Sequence, residues 1–167
     1  MSTGIPSPLD PALRECGATM TDRGGRAVAA HFGSATTEAA VCLSAVGMAD
    51  RCDRTTLEVS GAPEVVDQAL DVLAADGDRA WSARVGAGRA LVRCERGHAR
   101  ATRRALERSG VALVLDLEGE LAAIGLLGPN AAAMLHAFAE GPRDEATVVV
   151  TEGEGRYEVL TPVAHGV

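Results

Sequence analysis

The stretch "VGMADRCDRTTLEVSG", Val46 to Gly61, packs five charged side chains, one thiol and two threonines between apolar runs. Asp50 and Asp53 can accept a proton or an amine N–H, and Arg51 and Arg54 can fork onto a carboxylate. Asp50, Arg51 and Arg54 are therefore candidates for holding a polar ligand or cofactor. A structural junction is the alternative: Asp53, Thr55 and Thr56 as turn formers, with the arginines paired locally on the surface. His31 is a further candidate. In "RGGRAVAAHFGS", Arg23 to Ser34, glycines flank a short apolar run that would lie as a strand along a ligand groove. There the alternative is a histidine that packs and hydrogen-bonds locally.

No other constellation carries chemistry of its own. Cys16, Cys42, Cys52 and Cys94 lie far apart with no CxxC pair, so their spacing gives a metal site no support. The pairs Gly24-Gly25 and Gly86-Ala87-Gly88 match neither phosphate-binding fingerprint. With no Ser-His-Asp spacing, HExxH or paired-carboxylate motif, no residue is assigned as catalytic and no metal is expected. Arg96, Arg100, Arg103, Arg104 and Arg108 share one stretch, either a solvated helix face or a dock for an acidic partner.

Composition narrows the classes. Aromatics make up 2% of the chain and the net charge is −7, which opposes stacking on single-stranded nucleic acid and binding to phosphate backbones or anionic membranes. No run reaches the roughly 18 apolar residues of a membrane helix. The start "MSTGIPSPLDPAL" lacks the basic and apolar regions of an export signal, so a cytoplasmic protein with reduced thiols is expected.

The elements that must position these residues follow from periodicity. Residues 1–18 read as an extended or disordered arm, and 19–167 as a single domain. "TTEAAVCLSAV" is a helix capped by Ser34 or Thr36 and stopped by Gly47. "TTLEVSG" is a strand, and "PEVVDQALDVLAA" is a helix with Pro63 in its first turn and "ADGD" at its end. "RAWSARV" and "RALVRCE" form a hairpin; a basic helix to Ser109 and the strand "VALVLDLEG" follow. Residues 54–117 thus read strand, helix, strand, strand, helix, strand, the split βαβ of an α+β, ferredoxin-like fold with antiparallel or mixed sheets. Residues 120–161 begin the same order again as a partial second copy. "LEVSGAP" and "IGLLGPN" align Gly61 with Gly128, through duplication or through common reuse of a strand-Gly-Pro-helix turn.

Taken in order, "RGGRAVAAHFGSATTEAAVCLSAVGMADRCDRTTLEVSGAPEVVDQAL" and "ELAAIGLLGPNAAAMLHAF" resemble segments of the folate-binding aminomethyltransferase superfamily. That superfamily includes the glycine cleavage T-protein and subunits of heterotetrameric sarcosine oxidase, and the sarcosine oxidase gamma subunit is nearest in length and opening. The resemblance covers roughly residues 22–75 and 111–139. It departs at Ala27, where the family often has Pro, at Met48-Ala49 for Leu-Val, and at Cys52 for Ser. It implies that Asp50, Arg51 and Cys52 are junction residues beside the folate-binding sheet, with Cys52 a structural stand-in for serine. Full T-proteins are about twice as long and handle the substrate amine with an aspartate on a Gly-rich hairpin. No Asp lies between Arg79 and Arg96 here. The resemblance therefore implies an accessory, gamma-like subunit that is not catalytic alone, working with larger alpha- and beta-like oxidase subunits in folate-linked one-carbon metabolism. The alternative it implies is a stand-alone tetrahydrofolate-binding module acting as a homodimer or an aminomethyltransferase-like protein.

Overall fold

Gly24 and Gly25, at φ 62° and 84°, make the two-residue turn that suits the right-handed twist of paired strands. They join β2 (Thr19–Arg23) to β3 (Arg26–His31), and the Asp22 carboxylate accepts from the Gly25 N–H at 3.0 Å. The computed structural model describes residues 4–75, 80–140 and 146–163 of the chain. Most of the expected turn "ADGD", and Arg79, lie outside the described residues. β1 (Ile5–Pro6) adds to β3 in parallel, and the Arg26 guanidinium donates to the Pro6 carbonyl at 2.7 Å. These strands form a three-stranded sheet, β1-β3-β2.

The N-terminal residues are not an extended or disordered arm throughout. Asp10–Glu15 form a helix, α1, with Pro11 in its first turn and an Asp10–Arg14 pair at 2.7 Å. Leu9, Ala12, Leu13 and Cys16 recur at helical spacing, which gives the segment an apolar stripe to dock.

α2 (Ala35–Ser44) starts at Ser34, whose hydroxyl accepts from the Thr37 N–H at 3.3 Å. Gly47 does not stop this helix. It opens a strand, β4 (Gly47–Asp50), and its missing side chain makes room for the Cys42 thiol. The Asp-Arg junction is therefore partly strand.

The chain divides into two compact units, Met1–Asp53 with Gly119–Val167, and Arg54–Glu118. The second unit holds β5 (Arg54–Ser60), α3 (Pro63–Ala75), β6 (Ala80–Gly86), β7 (Arg89–Glu95), a 3-10 turn (Arg96–His98), α4 (Ala99–Arg108) and β8 (Leu113–Asp116). Its sheet runs β6-β7-β5-β8 with every pair antiparallel, as the split βαβ reading requires. Leu57, Val59, Ala90, Val92 and Val114 of the strands pack on Val66, Ala69 and Leu106 of the two helices. Each Val and Leu among them contributes about 1.5–3 kcal/mol by leaving water.

β9 (Leu121–Leu127), α5 (Ala131–Glu140), β10 (Val148–Gly153) and β11 (Arg156–Pro162) complete the first unit. As read from the sequence, residues 120–161 supply part of a second copy, and α2 and β4 complete it. Its sheet runs β10-β11-β9-β4, so β4 stands where β8 stands in the other unit, and α2 precedes it as α4 precedes β8. The last helix and strand come from ahead of the intervening unit, a circular permutation. The registers coincide: Ser60 opposes Arg89 as Leu127 opposes Arg156, and Leu57 opposes Asp116 as Ile124 opposes Asp50. Gly61 N–H donates to the Gly88 carbonyl at 3.0 Å, and Gly128 N–H to the Gly155 carbonyl at 2.9 Å. Among the described residues no helix is long and apolar enough to cross a membrane.

Gly128 sits at φ 123°, and a Cβ there would meet the carbonyls of Cys42 and Ala45 that end α2. Gly61 has no such φ and only a tight approach to the Ala112 nitrogen. Gly128→Ala should therefore lower unfolding free energy by about 2–3 kcal/mol and Gly61→Ala by about 1, read from urea denaturation.

Candidate functional site

Strand alternation separates the two residues at the head of the junction. Asp50 ends β4 opposite Ile124, so its side chain lies on the face of Ile124 and Leu126, where the first unit's apolar core sits. Arg51 turns to the other face, packs over Gly125 and reaches Glu152 at 3.6 Å. The Asp50–Arg51 pair is thus no common ligand grip.

Asp50 is 6% exposed. Its Oδ1 accepts from the Cys52 N–H at 2.9 Å, and its Oδ2 is buried without a hydrogen-bond partner. The second unit repeats the turn: Asp116 Oδ1 accepts from the Glu118 N–H at 3.0 Å, and there the aspartate is exposed. An aspartate that only closes this turn can leave its second oxygen in water. Burying that oxygen unpaired costs about 1–3 kcal/mol, more for a charge.

A cleft of about 520 Å³ opens beside Asp50. α1 and its two caps supply Leu9, Ala12, Leu13 and Cys16, α2 supplies Glu38, Val41 and Cys42, and β4 supplies Gly47 to Asp50. Phe32 and Ile124 close the lining. Glu38 Oε1 accepts from the Phe32 N–H at 2.8 Å, which ties the end of β3 to α2. This size and apolar character fit a small-molecule site. The α1 stripe, Phe32 and Glu38 escaped the reading from sequence; the i, i+3, i+4, i+7 spacing from Leu9 to Cys16 was the signal for the first.

The remaining candidates go elsewhere. His31 is half-buried at the end of β3, and its Nδ1 accepts from the Gly33 N–H at 3.2 Å. Arg54 belongs to the second unit, where it opens β5 opposite Glu95. Asp53 stays in the first unit, 3.6 Å from Arg23. Among the described residues no three His, Cys, Asp or Glu side chains converge as a metal site.

Cys52 is 5% exposed, and its sulfur accepts from the Ala123 N–H at 3.3 Å and faces the Ala123 carbonyl at 3.7 Å. Burial, then the charge of Asp50, pushes this thiol from 9.0 up to about 11. Arg51 and Arg54 do not activate it. A buried, protonated thiol bonded to backbone does the work a serine hydroxyl would do there.

The fold has known counterparts. The chain superposes on the glycine cleavage system aminomethyltransferase T from Bartonella henselae with a TM-score of 0.73 at 20% identity, over 95% of this chain and 54% of that one. It superposes on a chain of heterotetrameric sarcosine oxidase from Corynebacterium sp. U-96 with a TM-score of 0.54 at 16% identity, over 95% of this chain and 87% of that one. The protein has the α+β fold of aminomethyltransferase T, of which it spans about half the length. No protein-family model and no curated protein sequence matches the chain.

The thiol yields two expectations. Folded Cys52 titrates near 11 and the unfolded thiol near 9, so its contribution to stability is full below pH 9 and is lost as pH rises to 11. That loss is about 2–3 kcal/mol, and Cys52→Ser should remove it from the pH dependence while changing neutral-pH stability by about 1 kcal/mol or less. In the native protein at neutral pH a thiol reagent should label exposed Cys16 and reach buried Cys52 and Cys94 only after unfolding, as peptide mapping would read.

Proposed function

We propose that this protein is a small, gamma-like accessory subunit of a sarcosine oxidase-type complex, acting in folate-linked one-carbon metabolism and not catalytic alone. The observation that carries the reading is α2. Its sequence, "ATTEAAVCLS", is largely apolar, yet it buries no residue and leaves Leu43 83% exposed. Met134 and Phe138 on α5 are exposed as well. Such apolar helix faces are what a subunit presents to a permanent partner. The kind of assembly is supported by the sarcosine oxidase chain, with which this chain shares coverage that is high in both directions and so a similar length. The larger, alpha- and beta-like subunits would be the partners, and the cytoplasm the compartment. The absence of an aspartate between Arg79 and Arg96 supports a non-catalytic role.

A second reading is favoured by the closer superposition on aminomethyltransferase T: a tetrahydrofolate-binding homodimer. Asp50, Arg51, Arg54 and His31 were its ligand candidates, and of these only Asp50 lines the cleft.

Co-expression with the larger subunits of such an oxidase should give one co-eluting complex. Leu43→Glu should weaken that association by tenfold or more, about 1.4 kcal/mol, and leave the thermal midpoint of the isolated chain unchanged. A chain that elutes as a dimer and gives calorimetric heat with folinic acid, and that ignores those subunits, overturns the accessory reading in favour of the second.

A further inference from the structure

The two halves of this protein contain their own control experiment. Asp50 and Asp116 stand at the same register position, each closing the same turn onto the backbone N–H two residues on. Asp116 is exposed, whereas Asp50 is buried beside the cleft and its second oxygen is buried without a partner. The turn explains the first oxygen of each residue. It does not explain why one copy keeps a dry carboxylate where the other leaves it wet.

The lining says what would pair with that oxygen. Leu13, Phe32, Val41, Met48 and Ile124 form apolar walls. Among the described residues two acidic ones, Asp50 and Glu38, face the space, and no Lys, Arg or His lines it. Glu38 is half-buried and commits one oxygen to the Phe32 N–H. A cavity with apolar walls and carboxylates but no cation selects a ligand with an apolar body and a positively charged nitrogen head. An anion would meet uncompensated repulsion, and a neutral alcohol would supply a single weaker hydrogen bond.

We propose that this cleft is a binding site for a small organic ammonium ion, its apolar body between α1, α2 and Phe32 and its N–H donated to Asp50 Oδ2. The site lies wholly within the first unit and is independent of the accessory-subunit reading: loss of amine binding leaves assembly with oxidase subunits unaffected, and failure to assemble leaves amine binding unaffected.

The test is NMR titration of the full-length chain with three probes of similar size: phenethylammonium, phenethyl alcohol and 3-phenylpropanoate. Phenethylammonium should shift resonances of Phe32, Val41, Met48 and Ile124 and bind at least about tenfold more tightly than the alcohol, with the carboxylate weakest. Asp50→Asn keeps the oxygen that closes the turn and should erase the preference for the ammonium ion over the alcohol. Val41→Trp, at an exposed helix position that lines the cleft, should block all three probes without unfolding the protein, and it carries the test if Asp50→Asn fails to fold. Equal binding of ammonium and alcohol, shifts outside the cleft, or no shifts up to about 10 mM would overturn the proposal. So would occupancy of the cleft by a partner-subunit segment in place of the amine.

Discussion

A backbone contact that no side chain can enter organises both halves of this protein. In each copy the glycine that ends the first strand gives its N–H to a glycine carbonyl in the hairpin, Gly61 to Gly88 and Gly128 to Gly155. A Cβ at Gly88 would collide with the Gly61 carbonyl, and one at Gly155 would press on that of Gly128. Closing this contact sets the hairpin register. Both hairpins shift register at the same place, before Gly86 and before Gly153, and pair that glycine with the arginine of a shared G-x-G-R sequence. The hairpin's second strand then pairs along the whole of the first, and the final strand finds one register on its other edge. That register carries Asp50 and Asp116 to the same place.

The polar junction follows from the permutation. β4 and β9 are antiparallel neighbours, so the chain leaves the sheet after Asp50 and re-enters it on the adjacent strand, where Ile124 opposes Asp50. An entire βαββαβ unit can be inserted there because its two ends are already adjacent, which leaves the sheet ladder unbroken. The exit has to leave a sheet edge in few residues. Asp50 does so by turning the backbone onto its own carboxylate, Arg51 N–H bonds the Ala123 carbonyl at 2.9 Å, and the Cys52 sulfur accepts from the Ala123 N–H. The return uses the same device at Asp116, Leu117 and Glu118. Charges gather at this junction because turns at strand ends are made from short polar side chains.

Much of this was legible in sequence and some was not, for identifiable reasons. α3 was read with its observed ends because Pro63 and an unbroken apolar stripe mark them. The split βαβ of residues 54–117 was legible because its elements are consecutive. Only part of the second copy was legible because its last helix and strand lie on the far side of an insertion, and "GMAD" is too short and mixed to announce a strand. Pro8 and Pro11 gave the N-terminus the composition of an arm and masked the apolar stripe from Leu9 to Cys16. At the site, Asp50 was recognisable as chemistry, but its separation from Arg51 depends on the junction being a strand with alternating faces. Its burial has no local signature: Asp116 occupies the same turn with the opposite exposure.

Duplication therefore distinguishes what the fold needs from what one copy has acquired. The glycine contacts, the hairpin registers and the aspartate turns occur twice, so they are requirements of the fold. The surfaces differ. In the second unit α4 buries Thr102 and Leu106 and sends Arg100, Arg104 and Arg108 to water, the ordinary pattern of a helix that must keep its own domain soluble. In the first, α2 stands in the same topological place, buries no residue and exposes Val41 and Leu43. At about 25 cal/mol per Å² of apolar surface, leaving such faces in water forgoes stability that a covering partner would recover. The same unit carries the cleft and its dry carboxylate. The first unit thus carries the features that have no counterpart at the matching place in the second: the exposed apolar face of α2 and a buried aspartate beside a cleft.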